Sequence, residues 1–254
     1  VGTFSLNANT TGTSNVGVGY DSLAVNTTGT NNTVVGYQAA RQNTADNNTG
    51  IGYHALRLNT TGTNNVGVGA NALDANTTGE KLTAVGRHAL SANTTASDNT
   101  AFGYGALSVN TTGTLNVAIG SNALDENTTA SQNVAVGHNS LQNNSTGEQN
   151  TGVGTSSLYS NSTGNHNVGL GKRALYTNTT GSQNVAVGTN TLDANTTAEN
   201  NTAVGYASLG ANNTGYSNTA VGSLSLDANT TGYFNTAVGE NALGANTTAN
   251  SNTG

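Results

Sequence analysis

Cysteine, methionine, tryptophan and proline are all absent from the 254 residues, and the absences exclude several kinds of chemistry. Without cysteine there is no disulfide framework and no thiolate metal site. With neither cysteine nor methionine, little remains to oxidise, which suits an exposed extracellular setting. Charged residues make up only 7 % of the chain and the formal net charge is −6. Nucleic-acid binding by electrostatics needs clustered lysine and arginine, whereas Arg41, Arg57, Lys81, Arg87, Lys172 and Arg173 form no run. No apolar stretch approaches the roughly 20 residues needed to span a bilayer. Low charge with abundant Asn, Thr and Gly suggests disorder, but regularly placed Val and Leu argue against it.

What the chain does contain is one unit written fifteen times. Gly2, Gly19, Gly36, Gly52, Gly69, Gly86, Gly103, Gly120, Gly137, Gly154, Gly171, Gly188, Gly205, Gly222 and Gly239 recur at 17-residue steps, except the 16-residue step from Gly36 to Gly52. So short a fixed period marks a solenoid or fibrous array rather than a globular enzyme. We number seventeen slots from three residues before each Gly. The unit then reads [VT]-[AG]-V-G-x-x-[AS]-L-x-x-N-T-T-[GA]-x-x-N, clearest in Val134 to Asn150 and Val185 to Asn201. The expectation is one continuous array over 1–254, an excerpt of a longer chain because it starts and stops inside a unit.

Slots one to four read as a short strand, since larger and small side chains alternate there with the period of two. Slot three is apolar (Val18, Val35, Ile51, Phe102, Leu170) and is expected to face the core. Slot two is Ala or Gly except at Val34, which lets a second backbone approach closely, from the same coil or another chain. Slot four accepts only Gly, which points to φ > 0 or to a contact too close for a Cβ. Slot fourteen is Gly or Ala (Ala96, Ala130, Ala198, Ala249), so ordinary dihedrals in a tight space are expected. Slot eight is Leu in fourteen copies and Ala40 in the other, a second core anchor. Slots five, six, nine, ten, fifteen and sixteen vary and are expected to face outward.

Slot eleven is always Asn: Asn9, Asn26, Asn43, Asn59, Asn76, Asn93, Asn110, Asn127, Asn144, Asn161, Asn178, Asn195, Asn212, Asn229 and Asn246. Slot seventeen is Asn except for Leu82. Coils stacked about 4.8 Å apart would let each amide donate to one neighbour and accept from the other, an Asn ladder. The alternative is that Asn is simply a good turn former. The short coil loses a residue, carries Ala40 in place of Leu and places Asp46 after Ala45, which reads as a locally pinched turn. These patterns give an all-β fold, a parallel β-solenoid or β-roll of about fifteen 17-residue coils. Its core is thin for a free-standing chain, so association through the Ala/Gly face into a trimer or lateral filament is expected.

The run Asn116-Val117-Ala118-Ile119-Gly120-Ser121-Asn122-Ala123-Leu124 resembles the head repeats of trimeric autotransporter adhesins. Asn201-Thr202-Ala203-Val204-Gly205-Tyr206 followed by Asn212-Asn213-Thr214-Gly215 resembles bacteriophage tail-fibre-like repeats. The resemblance implies parallel β-rolls assembled into surface fibres, with adhesion as the wider role. The chain departs from the adhesins in its longer unit and in carrying no neck, coiled-coil stalk, membrane anchor or terminal chaperone domain.

Repetition offers little to catalysis, which needs a unique constellation. His54 and His88 share slot six but lie two coils apart, too far to share a metal, and read as solvated surface histidines along with His138 and His166. Asp74, Asp125, Asp193 and Asp227 recur in slot nine, never in adjacent coils, so paired carboxylates are not expected. Val16-Gly17-Val18-Gly19 mimics a phosphate loop without the helix or the Lys-Ser/Thr that would complete one. Asn-Thr-Thr matches the N-glycosylation sequon, against the competing ladder reading of the same Asn. Adjacent threonines such as Thr27 and Thr28 point to opposite faces of a strand, leaving half of them for an ice-binding grid. Tyr20, Tyr37, Tyr53, Tyr104 and Tyr206 share slot five as stacking platforms for a surface ligand.

The sequence therefore reads as a structural segment of an extracellular, cell-surface or virion-surface fibre that assembles with itself and supports adhesion. The alternatives are a carbohydrate- or surface-binding head, a tail-fibre receptor-binding segment and, as a minor reading, ice binding. No enzyme activity, cofactor, metal or nucleic-acid partner is expected. Glycans or a host surface are the other expected contacts.

Overall fold

A computed structural model describes residues 1–254, and it is all β, with no helix. No helix is therefore long and apolar enough to cross a membrane. Fourteen three-residue strands, from Val16–Val18 to Thr236–Val238, occupy slots one to three of successive coils. The chain forms two compact units, Val1–Thr129 and Ala130–Gly254. Within each unit, consecutive strands pair in parallel, slot against slot: Val16 with Thr33 and Val18 with Val35 in the first, Thr202 with Thr219 and Val204 with Val221 in the second. The result is a parallel β-solenoid of about fourteen stacked coils of about 17 residues.

The strands form where β-branched residues fill slots one and three, and each ends at the slot-four Gly. Their facing corrects the expectation from sequence. Slot two points inward and is buried, whereas slots one and three point outward. The reason is space. A Cβ added to Gly67 would lie 3.3 Å from Leu56 Cγ, and one added to Gly152 would lie 3.3 Å from Leu141 Cγ. The slot-eight Leu thus fills the interior and leaves room for about one methyl group behind the strand. The Ala/Gly face is consequently the lining of each coil and has no surface to offer a second chain. Val34, the one large slot-two residue, is buried in the coil where Ala40 replaces Leu.

Inter-coil hydrogen bonding continues well beyond the strands. Leu56 N–H donates to the Ala72 carbonyl at 2.9 Å, Thr60 N–H to Thr77 at 2.9 Å, Ala75 N–H to Ser91 at 3.1 Å and Gly86 N–H to Val68 at 2.8 Å. Most of the backbone donors used around a coil find a carbonyl one coil away, the satisfaction that buried amides require.

Turning the chain so tightly needs left-handed backbone at four slots. Slot-four glycines have φ of +127° to +146°, and slots six and sixteen hold ordinary residues at positive φ, such as His54 (+56°) and Asn64 (+59°). All fourteen slot-eight leucines have φ between +50° and +55°. A left-handed Leu costs about 1–2 kcal/mol, and burying its side chain returns about 1.5–3 kcal/mol. The Leu is therefore kept for what it fills, against its backbone preference.

Slots four and fourteen are both glycine-rich for different reasons, and substitution should separate them. Gly154 has φ +128°, and a Cβ there would meet the Gly171 carbonyl oxygen at 2.6 Å. A Cβ on Gly147 would also meet a backbone oxygen, that of Gly164, but Gly147 has no such φ, and its slot holds Ala130 one unit before it and Ala198 three units after it, so the stack accommodates a methyl group there. In urea unfolding followed by circular dichroism, Gly154→Ala should lose at least ~2 kcal/mol and Gly147→Ala under ~1 kcal/mol. Equal losses would contradict the distinction.

Candidate functional site

Two columns of asparagine run through the interior. Their slot-eleven members from Asn26 to Asn229 are fully buried. Asn178 shows the pattern: its Nδ2 donates to Asn161 Oδ1 at 2.8 Å and to the Gly181 carbonyl at 2.9 Å, and its Oδ1 accepts from Asn195 Nδ2 at 2.8 Å. Comparable amide-to-amide bonds link Asn9 to Asn26, and Asn43 through Asn59, Asn76, Asn93 and Asn110 to Asn127. In the second unit they join Asn144, Asn161, Asn178, Asn195, Asn212, Asn229 and Asn246. A glycan on such a nitrogen has no room, and the nitrogen already donates twice, so the sequon at slot eleven is incompatible with the folded coil.

The slot-seventeen column works differently. Asn184 Oδ1 accepts the backbone N–H of Asn201 at 3.0 Å, while Asn184 Nδ2 donates to the Ala198 carbonyl at 2.8 Å. That carbonyl also accepts from Asn195 Nδ2 at 3.1 Å, so slot fourteen is a shared acceptor for both columns. Leu82 lacks a side-chain amide, but its backbone N–H donates to Asn65 Oδ1 at 3.0 Å as elsewhere in the column.

The short coil interrupts the first column. Asn43 Nδ2 turns to the Ala45 carbonyl at 2.9 Å, one residue nearer than the corresponding carbonyl elsewhere, and Asn26 Oδ1 is left buried without a partner. On the surface the pattern of the regular coils continues: Asp46 accepts from Thr30 N–H at 2.7 Å and Thr30 Oγ1 at 3.1 Å, as Asn165 accepts from Glu148 N–H at 2.7 Å.

Outside, slot five brings Tyr20, Tyr37 and Tyr53 together. Their rings stack at 5.4 and 5.6 Å between centroids, within 12° of parallel, and all three are exposed. Phe4 closes one end edge-on at 5.9 Å, and His54 stacks on Tyr53 at 3.8 Å. Tyr104 and Tyr206 are exposed and separate from this stack; Tyr104 lies instead beside Arg87 and His88. Reading slot five alone missed two further stacks, Tyr159 with Tyr176 at 5.2 Å and Tyr216 with Tyr233 at 4.9 Å. Arg173 lies over the Tyr176 ring at 4.4 Å. The signal was available, since each pair recurs one period apart in slots nine and fifteen. The slot-twelve threonines are also engaged, as where Thr60 Oγ1 donates to the Thr77 carbonyl at 2.9 Å.

Charges pair between neighbouring coils. Arg57 grips Asp74 through Nε at 2.8 Å and Nη2 at 3.1 Å, Arg41 reaches Asp21 at 3.3 Å and Arg173 reaches Asp193 at 3.1 Å. The hydrogen bond to Asp74 raises the Arg57 pKa, and burial raises that of Asp193 against the opposing pull of Arg173. Burial lowers the His54 pKa, helped by the Arg57 charge and opposed by Asp74, and its Nε2 has no hydrogen-bond partner. His54 is thus part of a packed ring cluster, where a solvated surface histidine was expected. No three His, Asp or Glu side chains converge to hold a metal ion.

No protein-family model matches the chain, and no curated protein is significantly similar in sequence.

Asn178→Asp replaces a double donor with a buried carboxylate facing two acceptors, and should cost ~3–5 kcal/mol. Asn184→Leu, copying the residue that Leu82 places in the same slot, should cost less in the same unfolding assay, and the reverse order would refute the ladder's primacy. Because the His54 pKa is lowered on folding, its neutral form is favoured in the native state. Its contribution is complete above the ordinary value of 6.5 and is lost as the pH falls below it. The melting temperature should therefore fall between pH 7 and pH 5, and His54→Asn should remove part of that fall.

Proposed function

We propose that the chain is a structural segment of an extracellular, surface-exposed fibre that assembles with further copies of itself and so supports adhesion. The observation that carries this reading is the outer face of the strands. Slots one and three hold only Val, Thr, Ile, Leu and Phe in all fourteen strands, with no charged residue. Phe102 is 55 % exposed and Leu170 46 %. Monomeric proteins rarely leave a contiguous apolar row such as slot three uncovered, and exposed strands that must stay apart usually carry charges.

A second copy is the occupant whose geometry fits. The rows repeat once per coil, and a partner with the same axial repeat keeps its side chains in step over many coils. This outward face replaces the buried Ala/Gly lining as the association surface. A chain without cysteine or methionine also withstands an oxidising exterior.

Sedimentation equilibrium on the purified chain should give a homo-oligomer, and negative-stain micrographs should show fibres. Lysine at Val35, Phe102, Leu170 and Val221 should yield monomer without lowering the melting temperature by more than a few degrees, because the substituted side chains are exposed. A wild-type monomer at all concentrations, with no fibres, would overturn the proposal.

A further inference from the structure

Gly105 is the only glycine in slot six, a position filled in other copies by side chains such as Asn71, His88 and Asn122. Its φ of +65° matches that of its slot, so the backbone runs as usual and only the side chain is missing. The omission opens a cleft of about 410 Å³ lined by His88, Tyr104, Gly105, Ser108, Asn122 and Asp125, among others. That volume falls within the roughly 300–1,000 Å³ typical of small-molecule sites. Two oxygens converge on the vacated position: a Cβ on Gly105 would lie 2.8 Å from Asn122 Oδ1 and 3.7 Å from Asp125 Oδ1. Ser108 Oγ donates to that same Asp125 oxygen, which fixes the carboxylate.

The aromatic wall is Tyr104, 52 % exposed, with Arg87 over its ring at 5.9 Å and His88 edge-on at 6.4 Å. Unlike Tyr20, Tyr37 and Tyr53, it stacks face to face on no other ring, and the slot-five residue of the next coil is the small Ser121. The cleft therefore sets the exposed Tyr104 ring beside two acceptors, Asn122 Oδ1 and the Asp125 carboxylate that Ser108 holds. Its ligand must present both a flat C–H surface and several hydroxyl donors. Asp125 disfavours an anion, and the charge of Arg87 over one face of the Tyr104 ring disfavours a cation.

We propose that the Gly105 cleft is a binding site for a neutral pyranose sugar, stacked on Tyr104 and donating hydroxyls to Asp125 and Asn122. This function is additional to assembly and independent of it: fibres can form with the cleft empty, and the sugar can bind a monomer.

Saturation-transfer NMR titrations on the full chain would use methyl glucoside, methyl galactoside, methyl N-acetylglucosaminide and N-acetylneuraminic acid as probes. At least one neutral glycoside should saturate with a dissociation constant on the order of 1–10 mM, and the anionic sugar should not. Tyr104→Ala and Asp125→Asn should each weaken binding about tenfold or more. Gly105→Asn, which refills the slot with a residue that Asn71 and Asn122 show it accepts, should abolish binding with the melting temperature nearly unchanged. Tyr206→Ala should leave the affinity as it was. No saturation by any neutral glycoside up to about 50 mM, or undiminished binding in Gly105→Asn, would overturn the site.

Discussion

The hydrogen bond from each coil to its neighbour is the constraint on which the rest depends. It runs nearly around the coil, from Gly86 N–H to Val68 through Leu56 N–H to Ala72 and Thr60 N–H to Thr77. Its spacing forces every slot to lie against its own counterpart. Whatever occupies a slot must therefore tolerate itself at strand separation. Glycine in slot four does so because two carbonyl-bearing backbones meet there; asparagine does so because an amide is both donor and acceptor; tyrosine does so because flat rings stack. Leu in slot eight does so only in a left-handed backbone, which packing stabilises against local preference.

The columns themselves were plain in the sequence. Gly154 and its equivalents were identifiable as sites of positive φ or close approach, and slot fourteen as tight with ordinary dihedrals, because Ala130 and Ala198 share it with glycine. The parallel solenoid followed from the period. The facing of the strand did not. A three-residue strand such as Val185–Val187 has one inward and two outward positions, and hydrophobicity alone favours the wrong assignment when a distant Leu already fills the interior. The left-handed leucines left no trace either, since nothing in the identity of Leu advertises φ > 0. His54 was misjudged for a related reason: its slot is outward, but the tyrosine stack beside it removes its water.

The departures from the repeat carry the individuality of the chain. Strict copies can only extend the solenoid. Leu82 withdraws one amide from a column, Gly105 withdraws one side chain from the surface, and the coil between Gly36 and Gly52 withdraws a whole residue. Each change is local because the bonds around it keep the pattern of the regular coils: Leu82 N–H still donates to Asn65 Oδ1, and Asp46 still accepts from Thr30 N–H in the coil before it.

The unpartnered oxygen of Asn26 marks the last of these departures in the core. A perfectly periodic stack of coils is degenerate under translation: shifted by one coil, it presents the same surface again. Sliding would then cost almost nothing except at the ends. A coil one residue short acts as a dislocation in this one-dimensional lattice, an origin from which all other coils can be counted. The strands on either side of it stay in register, Thr33 against Thr49 and Thr49 against Val66, so the short coil leaves the spacing of the stack untouched and gives it an address.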